Sequence, residues 1–159
     1  SFPTRRSSDL SLRKGDITEE VSVKIPAGIS SGKKLRLAGK GLRSPYGGPA
    51  GDLYLNIQVL PHPIFSRDGD DLYVEKTVSF SQACLGTTID VPTLGGPPKR
   101  MKVPPGTQSN TKIRMKGFGV PHLKGEGRGD QYVRIFVDVP KRLNARQTEL
   151  IKKLAEVGL

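Results

Sequence analysis

An all-β chain built from two copies of one small module is the architecture this sequence predicts, and three observations carry it. Nineteen glycines and thirteen prolines among 159 residues interrupt almost every stretch long enough for a helix. Proline removes a helical donor, and glycine costs about 1 kcal/mol relative to alanine inside a helix. Short runs with apolar residues at every second position recur between these interruptions, the spacing at which alternate side chains of a strand face one core. The chain also repeats itself: shifted by 78 residues without a gap, KIPAGISSGKKLRLAGKGLRSPYGGPAGDLYLNIQV lies on KVPPGTQSNTKIRMKGFGVPHLKGEGRGDQYVRIFV. Lys24 meets Lys102, Pro26 Pro104, Gly28 Gly106, Lys34 Lys112 and Arg36 Arg114. Gly39 meets Gly117, Gly41 Gly119, Gly51 Gly129, Asp52 Asp130 and Tyr54 Tyr132.

The elements follow in order. Residues 1–10, SFPTRRSSDL, show neither helical nor strand periodicity, and residue by residue they are the in-frame translation of a widely used short-read sequencing adapter. They are set aside as one would a tag, with genuine sequence starting near Ser11 and no contribution to fold or function expected. Residues 11–62 then read as the back half of a first module. A strand ends at Pro26-Ala27-Gly28, a short strand carries Leu35 and Leu37 on one face, and Gly39-Lys40-Gly41 opens a glycine-rich loop. Gly51-Asp52 leads into a longer strand with Leu53, Leu55, Ile57 and Val59 on one face.

Residues 63–140 repeat this pattern and add a front half that the first module lacks. It comprises a strand over 72–80, one helical turn over 81–86 ended by glycine, and a strand over 87–94. Counting back 78 residues places the missing counterparts before residue 17. The stretch 141–159 holds the one convincing helix. Asn144 and Gln147 stand at capping-box spacing, and Leu150, Ile151, Leu154 and Val157 form an apolar stripe at helical spacing. The stripe suits packing on its own domain or against a second copy, with Leu150, Ile151 and Leu154 as the candidate dimerisation residues.

A formal net charge of +11 points toward anionic partners, among them nucleic acid and acidic polypeptide. The basic residues are scattered, however, and setting aside residues 1–10 lowers the charge by only one. Cys84 is the one cysteine, so no internal disulfide forms; this suits a reducing compartment such as the cytoplasm and a small buried hydrophobe. His62, His122 and Cys84 have no metal-ligand spacing, so no metal or other cofactor and no catalytic constellation is expected. The stretch GISSGKK falls one residue short of a phosphate-binding loop. Arg128-Gly129-Asp130 spells an adhesion tripeptide, but its counterpart is Ala50-Gly51-Asp52, which assigns the glycine and aspartate to a repeated turn. No apolar run approaches the length of a membrane span.

With these residues in view the chain resembles the C-terminal region of the DnaJ family of J-domain co-chaperones. The resemblance is carried by VSVKIPAGISSGKKLRLAGKG, by GGPAGDLYLNIQVLPHPIFSRDGDDLYVEKTVSFSQACLGTTIDVPTLGG, and by KVPPGTQSNTKIRMKGFGVP with GRGDQYVRIFVDVPKRLNARQ. It implies two tandem β-sandwich modules, the first incomplete here, with a short helix in the second and a C-terminal helix. The implied hinge is His62, Pro63 and Phe65. The implied role is to bind unfolded polypeptide for a DnaK-type chaperone, through a shallow apolar groove on the first module. Leu55, Leu53, Ile57, Leu35 and Leu37 are the candidates to line it. The family's His-Pro-Asp turn is not matched, since His62-Pro63 is followed by Ile64. The readings from other classes are a basic DNA-binding module and a purely structural or dimerisation fragment.

Overall fold

A computed structural model of the chain describes residues 6–14 and 17–159. In chain order the described elements are β1 (Arg6–Lys14), β2 (Ile17–Ile25), β3 (Lys34–Leu37), β4 (Leu53–Asn56), β5 (Ser66–Asp68) and β6 (Asp71–Ser79). After them come α1 (Phe80–Leu85), β7 (Thr87–Thr93), β8 (Gly96–Val103), β9 (Thr111–Met115), β10 (Gln131–Asp138) and α2 (Ala145–Glu156). The all-β prediction with two short helices holds.

The described strands form four sheets. β1 with β2, β3 with β4, and β7 with β8 are antiparallel pairs, and β5-β6-β10-β9 is a four-stranded sheet in which β6 and β10 run parallel. The β7–β8 pair packs on the four-stranded sheet as a sandwich. Val91, Met101 and Val103 from the pair meet Leu72, Val74, Val78, Val133 and Ile135 from the sheet, with Phe65, Ala83 and Val120 completing one core. Period two is what allows this: β10 buries Gln131, Val133 and Ile135 and turns Tyr132, Arg134 and Phe136 outward. Gln131 is the exception to apolar filling, and it is held by a 2.8 Å bond from Nε2 to the Pro92 carbonyl.

Two sequence expectations need correction. Of the ten residues set aside, 1–5 lie outside the described residues, but Arg6 to Leu10 form the front of β1, in register with Ile25 to Val21 of β2. A two-stranded ladder is held by main-chain groups that any residue except proline supplies, so a weak side-chain period is no bar to it. Cys84 is exposed, not buried. On the six-residue α1 only Ala83 is buried, so its neighbour in sequence projects outward.

The helix ends follow local chemistry. Ser79 caps α1 and Asn144 caps α2, each in a capping box closed by the glutamine three residues on, Gln82 and Gln147. The hydroxyl or amide oxygen accepts an orphan amide of the first turn, and the glutamine accepts from the cap's own amide.

Candidate functional site

The repeat is visible bond by bond. Arg36 Nε donates to Asp52 at 2.6 Å while the Gly39 amide donates to the other carboxylate oxygen at 2.9 Å. In the second copy Arg114 Nε donates to Asp130 at 2.6 Å and the Gly117 amide at 2.8 Å. The Gly39 amide first, and the Arg36 guanidinium second, hold the Asp52 carboxyl below the usual carboxylate value. The Gly117 amide does the same for Asp130, opposed by partial desolvation and aided by Arg114. The Gly-x-Gly pair needs its glycines for two reasons: Gly39 and Gly117 sit at φ of 68° and 76°, whereas a Cβ on Gly41 or Gly119 would strike main-chain atoms at 2.6 or 2.4 Å. Asp130 is thus occupied in its own turn.

The apolar candidates of the first module share one face of a two-stranded sheet. β3 and β4 pair Leu35 with Leu55 and Leu37 with Leu53, and the pattern continues to Ile57. All five are half-buried. Their counterparts on β10 differ: Gln131, Val133 and Ile135, equivalent to Leu53, Leu55 and Ile57, are fully buried beneath β7, β8 and the adjoining β6. Leu42, which sequence reading did not single out, is 81% exposed where its counterpart Val120 is 1% exposed. The signal was present in the alignment of the two copies, but burial depends on what lies across from a residue and not on its own identity.

The residues assigned to a hinge are packed. Phe65 belongs to the second module's core, and the His62 ring packs against it in a tilted arrangement, with centroids 5.1 Å apart and planes at 49°. His62 Nδ1 accepts the Ile64 and Phe65 amides at 3.1 and 3.3 Å, while Pro63 lines a cleft with Ile64, Tyr73 and Arg134. Arg67, on β5, reaches the first module: its guanidinium donates to the Gly28 and Ile29 carbonyls at 2.7 and 2.8 Å and to the Gly69 carbonyl at 2.7 Å. Asp70, beside Arg67 at 3.8 Å, meets His122 Nδ1 at 2.7 Å. Gly28 itself presses on the second module, where a Cβ would lie 2.0 Å from the Pro121 carbonyl oxygen.

α2 has no buried residue; Leu150 and Ile151 are exposed and Leu154 half-buried, so the stripe lies open. Several basic groups are tied locally, Arg36 to Asp52, Arg114 to Asp130 and Lys40 to Glu19. Among the described residues no group of His, Cys, Asp and Glu has metal-binding geometry, and no helix is long and apolar enough to cross a membrane.

Comparison with known proteins gives this geometry a family. The DnaJ C terminal domain family profile matches residues 5–140. Chaperone protein DnaJ 2 of Aquifex aeolicus is 48% identical over 151 residues, covering 90% of this chain and 40% of that protein. Chaperone protein DnaJ of Geobacillus thermodenitrificans is 49% identical over 140 residues, 88% of this chain and 36% of that protein. Chaperone protein DnaJ of Methanothermobacter thermautotrophicus is 49% identical over 141 residues, 89% and 37% respectively. The chain therefore spans about two-fifths or less of the length of these relatives. With the tandem β modules and a family match over most of its length, this chain belongs to the DnaJ C terminal domain family.

Proposed function

We propose that the chain is the polypeptide-binding part of a J-domain co-chaperone, holding unfolded protein for delivery to a DnaK-type chaperone in the cytoplasm. Family membership over residues 5–140 is the observation that carries this reading. The half-buried face formed by Leu35, Leu37, Leu53, Leu55 and Ile57 supports it, because a shallow apolar surface beside a strand suits extended chain. Main-chain bonding at a strand edge reads no side chains, so such binding tolerates many sequences. The chain acts by binding and not by catalysis, and α2 joins two copies through Leu150, Ile151 and Leu154. Binding to nucleic acid through scattered basic residues is the weaker reading, since Arg36, Arg114 and Lys40 are already engaged by carboxylates.

The test is suppression of aggregation. Purified chain added to a chemically denatured client at equimolar ratio is expected to reduce light scattering, without accelerating ATP hydrolysis by a DnaK-type chaperone. No effect on scattering, combined with a DNA mobility shift that persists at physiological salt, would replace this reading by the nucleic-acid one, because non-specific phosphate binding weakens steeply with salt.

A further inference from the structure

We infer that a small basic cleft on the second module, between the tip of the β7–β8 hairpin and the loop from β9 to β10, binds a phosphomonoester, free or carried on a side chain. The inference goes beyond the polypeptide-binding reading and does not depend on it.

Arg128 is where the two copies part. Its neighbours Gly129 and Asp130 recur as Gly51 and Asp52, but Arg128 stands where the first copy has Ala50. Lys99 likewise stands where the first copy has Val21, and Phe118 where it has Lys40. The turn closed by the aspartate forms in both copies with the same bonds, so its folding does not account for these three side chains. The tertiary structure nonetheless brings them together. Lys99, Phe118 and Arg128 line one cleft of about 210 Å³ with Leu94 and Pro97. That volume lies below the roughly 300–1,000 Å³ of drug-sized sites, so the ligand is small.

The lining selects an anion. No carboxylate borders the cleft, and among the described residues neither Lys99 nor Arg128 is paired with one. Arg100 and Arg114, by contrast, meet Asp90 at 3.8 Å and Asp130 at 2.6 Å. Arg128 is also held in place: its main chain bridges to Pro121, and its Nε donates to the Gly119 carbonyl at 3.0 Å. Both terminal guanidinium nitrogens are left for a ligand, and a donor fixed beforehand loses less freedom on binding. A guanidinium offers a planar fork and an ammonium a point charge, so a ligand that uses both needs more oxygens and more charge than a carboxylate has. A phosphomonoester brings three acceptor oxygens and a charge of about −1.5 to −2 near neutral pH. Gly95, Gly96 and Gly117 leave part of the wall as bare main chain, which lets an anion approach closely. Leu94 and Phe118, both half-buried, give the organic group of the ester an apolar surface.

Titration of phenyl phosphate into the isotope-labelled full chain, followed by amide chemical shifts, tests this. Saturable shifts centred on Gly95, Gly96, Gly117 and Phe118 are expected. Orthophosphate should bind more weakly for want of the organic group, and benzoate more weakly for want of the second charge. A phosphotyrosyl tripeptide is expected to move the same amides, because Lys99 and Arg128 are exposed at the mouth of the cleft; its failure to bind would strike the carried form. Arg128→Ala, which installs the residue of the first copy, is expected to weaken phenyl phosphate binding about tenfold, the worth of one bond to a charged group, and Lys99→Ala by a similar factor. Arg128→Lys should cost less, since the charge survives without the fork. Shifts that stay linear to the highest concentration, orthophosphate or benzoate binding as tightly as phenyl phosphate, or affinities unchanged in both alanine variants with folded spectra would overturn the proposal.

Discussion

Asp52 and Asp130 do one job twice, and duplication makes the job readable. Each carboxylate accepts a glycine amide and an arginine, so the charged form is favoured in the folded state and the pKa is lowered. A depressed folded pKa contributes stability that is present above the unfolded value, near 4, and is lost as pH falls through the folded value. Asp52→Asn with Asp130→Asn is therefore expected to lower the urea midpoint at pH 7, and the gap from the parent should close as the pH drops below about 4. Urea titrations of both proteins across that range check this; a gap independent of pH would mean the charge is not what matters. The aspartates were legible because the turn recurs at a fixed offset with Gly-Asp in both copies. Leu42, Gln131 and Cys84 were not, since their burial is decided by partners distant in sequence. Gln131 stands at a position where period two calls for an apolar residue, yet it is fully buried.

Elements were legible where a local signal ends them. The capping boxes at Ser79 and Asn144 and the positive-φ glycine after α1, Gly86, are local interactions, so the sequence was sufficient to place the start of each helix within a residue or so, α1 near 81 and α2 just after Asn144. β1 was not legible, because its pairing with β2 spends main-chain groups and makes little demand on side-chain type. What α2 packs against was equally hidden, and the structure leaves its stripe open. An amphipathic helix gains its stability mostly from burying such a face, so a solitary twelve-residue helix is marginal in water. Replacing Leu150, Ile151 and Leu154 by serine is expected to convert a dimer into a monomer in gel filtration with light scattering, while thermal unfolding of the β modules stays unchanged. A parent chain already monomeric at tens of micromolar would rule out this pairing.

At the scale of the whole molecule, the question is what fixes one module against the other. The family resemblance implies a hinge at His62, Pro63 and Phe65, and the hydrogen bonds put a tie beside it. Arg67 is largely buried, with 12% of its side chain exposed, and its guanidinium spans from the Gly69 carbonyl to Gly28 and Ile29. Bonds from a charged donor to buried acceptors are worth about 1.5–3 kcal/mol each before loss of ordering is counted. No reading of single residues finds such a tie, because an arginine in a three-residue strand has no pattern that names carbonyls almost forty residues away. Gly28 adds a steric condition its counterpart does not share: Gly28 and Gly106 both have positive φ, but a Cβ on Gly106 meets nothing within 4 Å while one on Gly28 would strike Pro121. Gly106→Ala is thus expected to cost about 1–2 kcal/mol of left-handed strain alone. Gly28→Ala must also displace the second module. Arg67→Ala, which removes the bonds without adding bulk, and Gly28→Ala are both expected to raise the radius of gyration in small-angle scattering and to speed proteolysis across residues 58–64. Gly106→Ala should leave both unchanged. Equal effects from the two glycine variants would show that backbone strain, and not contact between the modules, sets their arrangement.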